Sequence, residues 1–184
     1  MAMPFVSLGV LDILKTSEFF LKKVKDWKSN EMELNYNLFG FVVSTASIPD
    51  YLLHFYYIKY FKPEQITKDR FEPLKMNEYI DECKFCKNCR RTGNQEAQKF
   101  IYFWNENKMN LKNDPNIIVL FKLRHTSIHH KLAVKPTHFF HRFKRDFFGW
   151  IDEEEDINID DGVKFCRYCY DKINEFVNNI RNNF

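Results

Sequence analysis

Residues 32–61, MELNYNLFGFVVSTASIPDYLLHFYYIKYF, decide the fold, because Leu38, Val42, Ala46, Leu53 and Tyr57 recur at intervals of four or seven. That is the spacing of one helical face. The flanking positions are also rich in apolar and aromatic residues, so the stretch reads as a long, largely buried helix. Pro49 is its expected kink point, since proline has no N–H to donate and its ring crowds the preceding turn. Helical bundles are built around such elements. The longest apolar run, residues 38–48, is interrupted by Pro49 and Asp50 and falls short of the roughly 20 residues a bilayer span needs. The expectation is a soluble chain with no membrane partner.

Working outward, Leu11, Leu14, Leu21 and Val24 mark a first helix that ends in the polar Lys28, Ser29 and Asn30. The opening residues, MAMPFVSLGVLDILKTSEFF, show neither a basic leader nor a small-residue cleavage site, which makes them structural and favours a cytoplasmic location. Beyond the long helix, a polar stretch containing Pro63 and Pro73 leads to a third helical region at about 75–107. It carries Tyr79, Ile80, Phe100, Ile101 and Trp104, with Gly93 as a point of fracture. After Asn113-Asp114-Pro115-Asn116, residues 117–134 (IIVLFKLRHTSIHHKLAV) form a fourth helix, with Asp114 or Asn116 available as its cap and Pro136 closing it. Residues 137–151, THFFHRFKRDFFGWI, mix aromatics and cations without helical period and suggest a short hairpin or an extended excursion. An acidic run, Asp152 to Asp156, follows. Asp160, Asp161 and Gly162 then precede a terminal helix whose Val163, Cys166, Tyr170, Ile173 and Val177 trace one face.

Composition agrees. Twenty Phe, nine Tyr and three Trp against five Gly favour a helix-rich core packed on rings over a many-turned β fold. A chain of 184 residues suffices for one core and leaves little for a second. The expected architecture is a single all-α domain over residues 1–184, a bundle of four or five helices with a small irregular or β-hairpin insertion at about 136–160. A formal charge of +3 permits nucleic-acid binding without requiring it.

Chemistry concentrates in residues 123–130, LRHTSIHH, on the fourth helix. Arginine offers a permanent, forked cation suited to phosphate oxygens, and histidine can transfer protons near neutral pH. Arg124 and His129 form an R-x4-H pattern, with a polar residue, His125, after the arginine. This pattern, late in a chain of matching size and on a helix followed by an extension and a final helix, resembles the signature of the HEPN (higher eukaryotes and prokaryotes nucleotide-binding) superfamily. The stretch FGFVVSTASIPDYLLHFYY is also similar to the long early helix of some prokaryotic members.

The resemblance implies an all-α bundle that dimerises so that two motif helices face each other across a positively charged cleft. It implies a metal-independent endoribonuclease without cofactor, of the kind that serves as a toxin or in phage defence, with an antitoxin or regulatory protein as a further partner. Arg124 would hold the scissile phosphate, His129 would move protons during attack by the ribose 2′-hydroxyl, and His125 would assist. Residues five apart on an ideal helix lie roughly 140° apart, so Arg124 and His129 do not share one face, and a second copy is needed to complete the site. The competing reading is structural: Arg124 pairs with an acidic residue and the histidines are surface groups. A non-catalytic module that binds RNA, nucleotide or a partner protein is the alternative function.

Two other patterns compete for a role. Cys83, Cys86 and Cys89 in CKFCKNC, with Cys166 and Cys169 in CRYC, include two C-x2-C pairs, and Cys83, Cys86, Cys166 and Cys169 would make a tetrathiolate zinc site. Both segments read as helical, however, where cysteines three apart simply pack in a core. Between Lys131 and Arg145, the cations Lys131, Lys135, Arg142, Lys144 and Arg145 alternate with Phe139, Phe140 and Phe143, which suits an RNA-tracking surface as well as it suits a solvated hairpin.

Overall fold

The computed structural model describes residues 7–27, 31–63, 80–129 and 159–184. These residues form six helices: α1 (Ser7–Lys25), α2 (Glu31–Phe61), α3 (Glu82–Thr92), α4 (Gln95–Lys112), α5 (Pro115–His129) and α6 (Ile159–Asn183). The fold is all-α, as expected, with no strand among the described residues. Its helix number exceeds the expected four or five because Gly93 does fracture the third region. Gly93 takes φ 66°, a left-handed conformation open to glycine, and its N–H returns to the Cys89 carbonyl at 2.9 Å. Asn94 then starts α4 by accepting the Ala97 N–H at 3.0 Å.

The expected 75–107 boundaries shift for similar reasons. Asp81 caps α3 through the Lys84 N–H at 2.7 Å, and α4 continues to Lys112. Asp114, not Asn116, caps α5, accepting the Asn116 and Ile117 N–H groups at 2.9 and 3.1 Å. Its second oxygen accepts a hydrogen bond from the Tyr168 hydroxyl on α6, so one carboxylate joins two helices. Asp160, Asp161 and Gly162 lie within the first turn of α6 and not ahead of it. The helix thus begins inside the interval of about 136–160 expected for an insertion, and residues 130–158, like residues 64–79, lie outside the described residues.

α2 is the centre of the bundle and packs on α1, α3, α5 and α6. It continues through Pro49 to Phe61, as the reading of residues 32–61 as one long helix expects. By length and composition α2 could cross a bilayer, but 61% of its most apolar window is buried inside the bundle, as a core helix requires. Gly40 admits the Phe20 ring of α1: a Cβ there would stand 2.5 Å from it. Nearby, the buried hydroxyls of Ser17 and Thr45 satisfy each other across the same contact.

The other end of α2 meets α3, α4 and α6 in a cluster of rings. Phe100 stands 4.3 Å from Tyr56, 5.3 Å from Phe85, 5.8 Å from Trp104 and 5.4 Å from Phe184, centroid to centroid. These separations are those of favourable aromatic contacts. Trp104, Phe100 and Phe85 are fully buried, which explains why a chain so rich in Phe can hold a compact core with so few glycines. On α6 the expected face is confirmed in the buried Cys166, Ile173 and Val177, extended by Cys169, Phe176 and Ile180.

Candidate functional site

α5 positions Arg124 by its apolar period. Ile117, Leu120 and Leu123 are buried against the bundle, and Arg124 follows Ile117 by seven residues and Leu120 by four, which places it at the margin of the same face. There its guanidinium reaches α2. Nη1 donates to the Asp50 carboxylate at 2.6 Å and to the Ala46 carbonyl at 3.2 Å. Nε is buried and has no hydrogen-bond partner among the described residues.

This contact lies beside Pro49. Proline cannot donate to the carbonyl four residues back, that of Thr45, and its ring pushes on the preceding turn. Arg124 supplies a donor to Ala46, and Asp50, the residue after the proline, supplies the matching charge. The pair is half-sheltered, with the arginine side chain 27% and the carboxylate 38% exposed. That is drier than a solvent-facing ion pair yet wet enough to avoid the full desolvation cost of a buried one. The carboxylate orients the guanidinium through Nη1.

His125 is exposed, next along α5. His129 is the last residue of α5; its side chain lies outside what the structure describes. The structure thus joins Arg124 to Asp50, a partner that the sequence signalled only as the lone carboxylate within residues 38–53. Lys131, Lys135, Arg142, Lys144 and Arg145, the candidate RNA-tracking cations, lie outside the described residues.

The four candidate zinc ligands do not assemble. Cys83 is exposed on α3 and Cys86 is half-buried, whereas Cys166 and Cys169 are sealed in the core on α6. Among the described residues no three His, Cys, Asp or Glu side chains group as metal ligands would. Burial pushes the Cys166 and Cys169 thiols far above their usual range. Cys169 instead donates weakly to the Asn116 carbonyl at 3.8 Å. Helical packing, the competing reading of C-x2-C, accounts for the α6 pair.

One further ion pair shapes the α3–α4 contact. Glu82 accepts from Lys108 and, at 3.4 Å, from the Trp104 indole N–H. Burial alone would raise its pKa, but the hydrogen bond and charge of Lys108, helped by Trp104, bring it below the usual 4.5.

Comparisons of the chain with protein-family models, with curated proteins and with solved structures find no match. Functional inference therefore rests on the residues themselves.

Proposed function

We propose that the chain is a metal-independent endoribonuclease of HEPN type, acting in the cytoplasm as a homodimer in toxin or phage-defence biology. The observation that supports this most is Arg124: a side chain 27% exposed, its guanidinium oriented by Asp50, five residues ahead of His129 on the fifth helix of an all-α chain. In the proposed reaction the 2′-oxygen of RNA attacks the adjacent phosphorus and the bond from phosphorus to the 5′-oxygen breaks. A 2′,3′-cyclic phosphate and a 5′-hydroxyl result. His129 takes the 2′-hydroxyl proton, an imidazolium returns a proton to the leaving oxygen, and Arg124 offsets charge on the non-bridging oxygens. His125 assists as a polar neighbour. The nucleophile is tethered to the phosphate it attacks, so proximity is supplied by the substrate.

The Arg124–Asp50 pair also favours a second reading, in which Arg124 ties α5 to the proline region of α2 within a non-catalytic module that binds RNA, nucleotide or a partner protein. Incubating the purified chain with mixed RNA in EDTA separates the two. The enzyme reading expects cleavage by the native chain and a loss of about 100-fold or more in Arg124→Ala and His129→Ala. Intact RNA at high protein concentration, or equal cleavage by all three proteins, overturns it.

A further inference from the structure

α3 buries Phe85, Asn88 and Cys89 and turns Lys87, Arg90 and Arg91 outward. These three cations fall within about 100° of arc and about 6 Å of helix axis, so they form one short ridge. All three are exposed, and no ion pair or hydrogen bond engages their side chains among the described residues. The one carboxylate of α3, Glu82, is taken by Lys108, and Asp81 ahead of it is occupied as the cap. Glu96, the next carboxylate along the chain, acts on Lys59 and Tyr60 at the end of α2. The lysines of α1 are placed differently. Lys15 and Lys22 stand three or four residues from Asp12, Glu18 and Asp26, so opposite charges interleave on that helix. A purely local role for the α3 ridge is to oppose the helix dipole, which Arg90 and Arg91 in the last turn do. Lys87, a turn earlier, is not needed for that.

We infer that the Lys87, Arg90 and Arg91 ridge binds the phosphate backbone of an RNA strand. A strand carries one phosphate per about 3.4 Å of helical axis, so the ridge spans two or three of them. Guanidinium and ammonium groups both bond phosphate oxygens strongly. The make-up of the face decides against a protein partner: α3 exposes no large apolar side chain, whereas protein interfaces have an apolar core and nucleic-acid interfaces are polar and cationic. Contacts to phosphate hold a strand without reading its bases, so the ridge adds affinity and no sequence preference. The surface is separate from the Arg124 pair. Phe85 of α3 packs on Tyr57 and Phe61, and Tyr57 follows Asp50 by seven residues, about 10 Å along α2. The choice of RNA over other polyanions rests on the ribonuclease reading.

Fluorescence anisotropy of the intact chain with a labelled 2′-O-methyl oligoribonucleotide, at salt from about 50 to about 200 mM, tests the assignment. Lys87→Gln, Arg90→Gln and Arg91→Gln together should weaken binding about tenfold or more and flatten the slope of log affinity on log salt by about 2, at roughly 0.7 per charge. Arg90→Lys with Arg91→Lys keeps the charge and should keep the slope. Removing as much charge from α1, by Lys15→Gln, Lys22→Gln and Lys25→Gln, should change neither quantity appreciably. Absence of binding by the native chain, an unchanged slope in the α3 variant, equal losses in the α1 variant, or tighter binding of polyglutamate than of RNA would each overturn the proposal. A lower melting temperature in the α3 variant with the slope intact would assign the ridge to the helix dipole and overturn it too. The 2′-O-methyl strand has no 2′-hydroxyl to attack with, so binding is read apart from cleavage. Failure here with native RNA still cut in EDTA strikes this surface alone, and binding here with RNA left uncut strikes the enzyme reading alone.

Discussion

Arg124 is where the two functional readings meet, because one side chain can both brace two helices and hold a phosphate. Its bonds to Asp50 and Ala46 span 74 and 78 positions of sequence. No local pattern reports such a pairing, although a lone carboxylate in an apolar helix was its trace. A half-sheltered, charge-assisted bond of this kind contributes about 1–2 kcal/mol. Asp50→Asn and Arg124→Gln should each lower the urea midpoint accordingly, and the double variant should lose less than the sum of the two. Additive losses would mean that the residues do not interact in solution.

Glu82 gives a second test at this scale. Its folded pKa lies below the usual 4.5 because Lys108 and Trp104 together outweigh burial. A depressed carboxylate stabilises the fold above its unfolded pKa, and that contribution fades as pH falls through the folded value. The melting-temperature gap between the native chain and Glu82→Gln should therefore be widest above about pH 5 and narrow steadily below about pH 4.5. A gap that is constant over this range would remove the ionic contribution.

Helices were legible where a single face repeats. Leu14, Leu21 and Val24 of α1, the core positions of α2 and the buried stripe of α6 all follow from period alone, and all are buried. Gly93 and Asp114 were legible as breaker and cap, whereas the start of α3 was harder to place, since Asp81 acts through a backbone bond that depends on the chain's local path. Continuity over residues 32–61 was legible from the same period, and packing on four neighbouring helices accommodates Pro49 within the helix. The cysteines follow the same logic. In C-x2-C both members fall near one helical face whether that face meets metal or core, and only the packing of α6 decides between them. Native protein treated with a thiol reagent should label Cys83 rapidly and Cys166 and Cys169 at least ~100-fold more slowly, with both core thiols reacting after unfolding. Fast labelling of the α6 pair in native protein would contradict their burial.

At the scale of the whole molecule, the all-α class was readable from low glycine, abundant rings and helical period. The candidate sites were only partly so. R-x4-H was visible as a string, whereas the Arg124–Asp50 pair needs α5 beside α2 and has no signature on either segment alone. The bundle leaves Arg124 at the margin of α5, partly accessible, and the angular gap to His129 makes a facing second copy part of the proposed enzyme. The chemistry of the cut ends tests that proposal most directly. RNA incubated with the native chain in EDTA should yield 2′,3′-cyclic phosphate and 5′-hydroxyl ends, and a substrate with 2′-deoxy sugars should stay intact. Ends bearing a 5′-phosphate, cleavage of the deoxy substrate, or no cleavage at all would contradict the account.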